Sequence, residues 1–228
     1  MLTLDEVLAR LQNSATAKNA ADPTLPDVSD EARLESLKAY ASGRAKFLAG
    51  QLPQATTDLE RAVALNPASP EALSQLAEIQ AAGGRRAAAT ASYKRAVALG
   101  LRDARVEAFL GRELLRAKRF EEAAAQLISA RASAAQTQEP MAEAVASADL
   151  SDALQNLGYV AAARDLLTQT LKGLPALPDG PLNPEEAELF RRRGELWLRV
   201  GDFSGRLGDQ AAAAAAYESA SLVAGADH

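Results

Sequence analysis

The sequence predicts an all-α protein of about five helical hairpins in tandem, preceded by one short helix. Three observations predict it. Alanine fills 53 of 228 positions and aromatic residues only 4%, a balance that favours helices over strands. A Gly or Lys turn signal, followed five residues later by alanine, returns at a spacing of 34 residues. Ser-Pro and Asn-Pro pairs stand where helices should begin.

The first element is a short helix in which Leu4, Val7, Leu8 and Leu11 share one face and Thr3 with Glu6 forms a capping pair. It is expected to cover the apolar edge of the first hairpin; the alternative is a segment that docks in its own groove or in a neighbour's. Residues 1–28 form this helix and a linker containing Pro23 and Pro26, residues 29–225 the array, and residues 226–228 a tail.

Within the array, Gly50-Gln51-Leu52-Pro53-Gln54-Ala55 leads into Leu59, Ala62 and Leu65. Gly84, 34 residues on, opens a second copy with Ala89, Tyr93 and Ala96. Lys118, another 34 on, opens a third with Ala123, Leu127 and Ala130. The fourth and fifth copies open at Gly158 and Gly208, after intervals of 40 and 50 residues. The repeats span about 36–69, 70–103, 104–137, 144–177 and 194–225. Ser69, Asp103 and Asn183 are the expected N-caps, Asn183 forming a capping box with Glu186.

Upstream of each turn lies a matching first helix: Ala39-x-x-Ser42-Gly43, Leu73-x-x-Leu76-Ala77, Glu107-x-x-Leu110-Gly111, Ser147-x-x-Leu150-Ser151 and Trp197-x-x-Val200-Gly201. Together these residues resemble the tetratricopeptide repeat (TPR) family, a 34-residue helix-turn-helix unit with W-x-x-L-G and later small-residue markers. The resemblance covers residues 30–224 and implies a right-handed solenoid. The small residues at 43, 77, 111 and 201 let the two helices of a hairpin approach, with Ala55, Ala89, Ala123, Ala163 and Ala213 facing them. Leu59, Tyr93, Leu127, Leu167 and Tyr217 are expected to fill space towards the next hairpin.

Two segments break the period. Residues 132–143 read as lengthened helix ends around a turn at Pro140. Leu174-Pro175-Ala176-Leu177-Pro178-Asp179-Gly180-Pro181 is too rich in Pro and Gly for helix and reads as a loop, followed by a helix that starts early near Pro184 and runs to about Leu207. Such an insertion either contributes to binding or acts as a spacer. At the other end, Leu222, Val223 and the alanine run 211–216 are expected to face solvent or a second copy.

The composition excludes much chemistry. With no cysteine and one histidine, His228, the chain cannot build a thiolate zinc site, a Ser-His-Asp triad or a multi-His metal centre. A net charge of −5 argues against a nucleic-acid partner. No phosphate-cradling glycine loop occurs. No stretch is long and apolar enough to span a membrane, and the acidic start Asp5-Glu6 is unlike a signal peptide. The expectation is a cytoplasmic chain with no enzymatic activity, metal or cofactor; the alternative is a periplasmic or exported one whose leader has been removed. The run Arg191-Arg192-Arg193 reads as a solvated face paired with Glu188, or else as an anion site.

The TPR resemblance implies a concave groove, lined by the first helix of each hairpin, that binds a protein or peptide segment. By that resemblance the first repeat contributes Tyr40, Arg44 and Phe47, and the second Gln75 and Glu78. Arg105, Phe109 and Arg112 come from the third, and Asp149, Asp152 and Gln155 from the fourth. Arg44, Arg105 and Arg112 suit a partner of acidic character; Phe47 and Phe109 are either groove or inter-helix core. The residues at the carboxylate-clamp places of chaperone-binding TPR proteins, Tyr40, Arg44, Gln75, Arg105 and Phe109, keep little of that clamp's charge. The expected function is an adaptor or scaffold. The alternatives are a self-assembling homo-oligomer, using the C-terminal helix, and the recognition arm of a larger protein.

Overall fold

The computed structural model describes residues 2–16, 28–176 and 181–225, among which there are eleven helices and no strand. In chain order they are α1 (Leu4–Thr16), α2 (Asp30–Leu48), α3 (Leu52–Leu65), α4 (Pro70–Ala82), α5 (Arg86–Ala98) and α6 (Ala104–Arg116). Then follow α7 (Phe120–Thr137), α8 (Pro140–Asn156), α9 (Val160–Gly173), α10 (Pro184–Arg206) and α11 (Gln210–Gly225). The expected linker 18–28 falls almost wholly outside the described residues, as does Leu177–Gly180 of the loop.

Local chemistry sets these boundaries. The Ser69 and Asp103 side chains accept backbone N–H bonds from Ala72 and Val106, and Pro70 occupies the first turn of α4. Asn183 and Glu186 form the reciprocal capping box. Thr3 and Glu6 do the same for α1, the Thr3 N–H donating to Glu6 at 2.8 Å. Each hairpin turn holds one residue in the left-handed region, at Gly50, Gly84, Lys118, Gly158 and Gly208.

Consecutive helices pair into five hairpins, α2/α3, α4/α5, α6/α7, α8/α9 and α10/α11. The chain divides into two compact units. Ala20–Arg102 holds the first two hairpins, where α4 packs on α3 and α2. Leu59, Ala55, Leu76 and Ile79 form its core with Phe47, Tyr40 and Val63 at the margin. Asp103–His228 holds the other three hairpins and, together with them, the N-terminal segment Met1–Asn19. There α8 packs on α6 and α7, and α10 on α8 and α9, around Leu127, Leu150, Leu154, Leu166, Leu167 and Leu196.

Two expectations are corrected and a third is extended. The apolar face of α1 does not serve the first hairpin: Val7 and Leu11 are buried against α7 and α9, inside the unit formed with residues 103–228. In three hairpins the large residue of the second helix lies over the glycine of the first, and Leu59 also reaches the next hairpin as expected, clustering with Leu76 and Ile79 of α4. A Cβ on Gly43 would stand 2.7 Å from Leu59 Cγ, and one on Gly201 2.5 Å from Tyr217 Cε1. At the end of α11, Leu222 is 70% exposed, whereas Val223 turns inward onto Gly194, and Ala213 and Ala216 are buried.

Candidate functional site

In the 103–228 unit, α6, α8 and α10 are the first helices of their hairpins and stand side by side. Burying the opposite face of each in the hairpin core leaves one row of side chains from each on a shared wall. Towards their N-terminal ends this wall opens into a groove of about 860 Å³. Its floor is apolar, made by Ala104 and Ala108 of α6, Met141 and Val145 of α8, and Leu189 and Phe190 of α10, with Pro175 and Ala176 closing one side. Arg105, Arg112 and Arg193 reach into it from the same helices.

Ion pairs cross the wall. Arg112 Nε lies 3.6 Å from Asp149 Oδ2, and Arg105, 83% exposed, lies 3.8 Å from Glu139. Arg199 donates to Asp152 at 2.6 Å and to the Ala148 carbonyl at 3.0 Å, tying α10 to α8. Burial pushes the Asp149 carboxyl up to about 6, with the nearby Asp152 adding to the shift and Arg112, Arg199 and Arg192 opposing it. Beyond this network Asp152, Gln155, Arg199, Asp202, Arg206 and Tyr217 line a second, more polar cavity of about 630 Å³. There the Tyr217 hydroxyl donates to Asp202 at 2.8 Å, which holds that hydroxyl above its ordinary pKa.

Of the eleven residues expected to line a groove, six lie on α6 and α8, two of this wall's three helices: Arg105, Phe109, Arg112, Asp149, Asp152 and Gln155. Phe109 is half-buried. The other five belong to the 20–102 unit, on α2 and α4. Arg44 and Glu78 are exposed, and Gln75 donates to Glu78 at 2.6 Å. Tyr40 and Phe47 are half-buried against the Leu59–Ile79 cluster.

The residues missed are those of α10 and the apolar floor residues Ala104, Ala108, Met141 and Val145 of α6 and α8. Arg199 was legible in register, because it stands nine residues before its turn glycine as Asp149 does before Gly158. Leu189, Phe190 and Arg193 carried no such signal, since they belong to the turns of α10 that precede the repeat. No helix among the described residues is long and apolar enough to cross a membrane.

No protein-family model and no curated protein sequence matches the chain. Solved structures do. It superposes on MamA protein with a TM-score of 0.64 at 16% identity, covering 83% of this chain and 91% of that one. YrrB, described as a TPR protein with an unusual peptide-binding site, gives 0.62 at 13% identity, over 85% and 88%. MamA from Desulfovibrio magneticus RS-1, residues 41 to the end, gives 0.60 at 18% identity, over 88% and 98%. At these identities the likeness concerns architecture, and it agrees with the hairpin geometry and the 34-residue spacing: the chain has the fold of a TPR-like helical-repeat protein.

Proposed function

We propose that the chain is a non-catalytic interaction scaffold that holds a peptide or helix of a protein partner along the α6–α8–α10 wall. The observation that carries this reading is the groove of about 860 Å³, with its continuous apolar floor and arginines at its edge. Apolar floor supplies most of the affinity in such grooves, and charged rims set orientation and on-rate. That YrrB is described as a TPR protein with a peptide-binding site supports the same reading. The test is selection of random decapeptides displayed on phage against the whole chain. Binders are expected, and Arg105→Glu with Arg112→Glu should abolish their capture while leaving the helical circular dichroism unchanged. Equal capture by the double variant would remove this wall from the reading.

A second reading, self-association, is favoured by the exposure of Leu198, Leu207 and Leu222 on α10, its following turn and α11. It predicts a concentration-dependent sedimentation coefficient that Leu222→Asp abolishes. A single monomeric species at all concentrations would exclude it.

A further inference from the structure

The run Arg191-Arg192-Arg193 splits three ways on α10. Arg191 pairs with Glu188. Arg192 reaches Glu188 at 3.9 Å and Glu195 at 2.6 Å. Arg193 differs from both. Its guanidinium turns into the groove, donates to the Pro175 carbonyl, and forms no ion pair among the described residues. It is half-buried, and burial pulls its pKa below the usual guanidinium value with no carboxylate to oppose the shift. A cation drawn out of water without a counter-ion is an unmet electrostatic demand.

The other charges around the groove are already engaged. Arg105 faces Glu139 and Arg112 faces Asp149. Glu186 is held in the capping box and Glu188 by Arg191 and Arg192. What remains is Arg193 inside and Glu185 exposed on the rim. Beside Arg193 the floor of Ala108, Val145 and Leu189 offers room for a bulky apolar group. The first turn of α8, which also lines the groove, has no side-chain cap, so its backbone N–H groups add to the same positive potential. Pro175, Ala176 and the early turns of α10 all come from the insertion that breaks the 34-residue spacing, so this pocket is an addition to the hairpin array.

We propose that this pocket binds a partner peptide through a carboxylate carried next to a bulky apolar side chain, the carboxylate on Arg193 and the apolar side chain between Ala108, Val145 and Leu189. The inference rests on the scaffold reading and adds the partner's chemistry to it. Guanidinium supplies two parallel donors to a carboxylate, and the apolar floor beside it takes the neighbouring apolar side chain.

The experiment uses the decapeptides selected on the whole chain, read by fluorescence anisotropy. The selected sequences are expected to place Asp, Glu or the terminal carboxylate beside Leu, Ile, Met or Phe. Arg193→Gln should weaken them at least tenfold, Arg193→Lys less, and replacing the peptide's Asp by Asn should weaken binding to the unaltered chain by a similar factor. The peptide substitution keeps the test valid if Arg193→Gln disturbs folding. Decapeptides that bind without an acidic group, or that ignore both changes, overturn this inference and leave the scaffold reading standing. If no decapeptide binds at all, both fail.

Discussion

Leu127 of α7 lies directly over Gly111 of α6, so close that a Cβ on the glycine would stand 2.5 Å from Leu127 Cγ and 2.6 Å from Cδ2. Gly111→Ala therefore forces the hairpin open or Leu127 off its rotamer and should destabilise by about 1–3 kcal/mol. Gly205 on α10 provides the contrast, because nothing lies within 4 Å of its virtual Cβ. There the alanine variant should gain about 0.5–1 kcal/mol from helix propensity alone. Urea denaturation of both variants checks the pair; equal effects would mean that close approach is not what the small residue supplies.

Asp149 makes the stability of its unit depend on pH in an unusual direction. Its carboxyl is held at about 6, above its unfolded value. Between about pH 4 and pH 6 the folded chain therefore binds a proton that the unfolded chain has released. Stability from this group is greatest at low pH, falls as pH rises through that window, and stays level above it. Asp149→Asn should remove the slope, a difference on the order of 1–3 kcal/mol across the window. Melting curves of the two proteins from pH 4.5 to 7.5 measure it, and parallel profiles would refute the assignment.

Glu107 occupies the place that Leu73 and Trp197 hold in their hairpins, yet it is fully buried. One carboxylate oxygen accepts from Ser133 at 2.8 Å and the other has no partner. Ser133→Ala should cost about 1–3 kcal/mol by stripping the remaining hydrogen bond. Replacing both, Glu107→Leu with Ser133→Ala, should be nearly neutral or stabilising. Chemical denaturation of the single and double variants separates these outcomes.

Val7 and Leu11 fix α1 to α7 and α9. Changing both to alanine should detach the helix and lower stability by about 2–4 kcal/mol. Amide hydrogen exchange should then accelerate along α1 and on the faces of α7 and α9 beneath it. Unchanged protection there would mean that α1 contributes nothing to the unit.

Much of the architecture is local and was readable in the chain. Ser69, Asp103 and Asn183 announce helix starts because each side chain satisfies N–H groups two or three residues on. Gly50, Gly84, Lys118, Gly158 and Gly208 mark turns because each holds a left-handed backbone. What was not readable depends on contacts far apart in sequence. The 34-residue spacing runs unbroken from Gly84 to Lys118, although the division into two compact units falls between those residues, after Arg102. Periodicity gives α1 an apolar face without naming what it meets. Arg191, Arg192 and Arg193 look alike as a run, but a helix turns 100° per residue, so each points into different surroundings.

Docking α1 on α7 and α9 ties residues 4–16 to helices more than a hundred residues later in the chain. A helix of 13 residues is marginal in water by itself. Roughly 150 residues separate Leu11 from the start of α9, which a ribosome adds in about 8–30 s. During translation Val7 and Leu11 lack their complete packing for that interval, so the nascent chain offers a chaperone a binding stretch that closes fully only once α9 has followed α7.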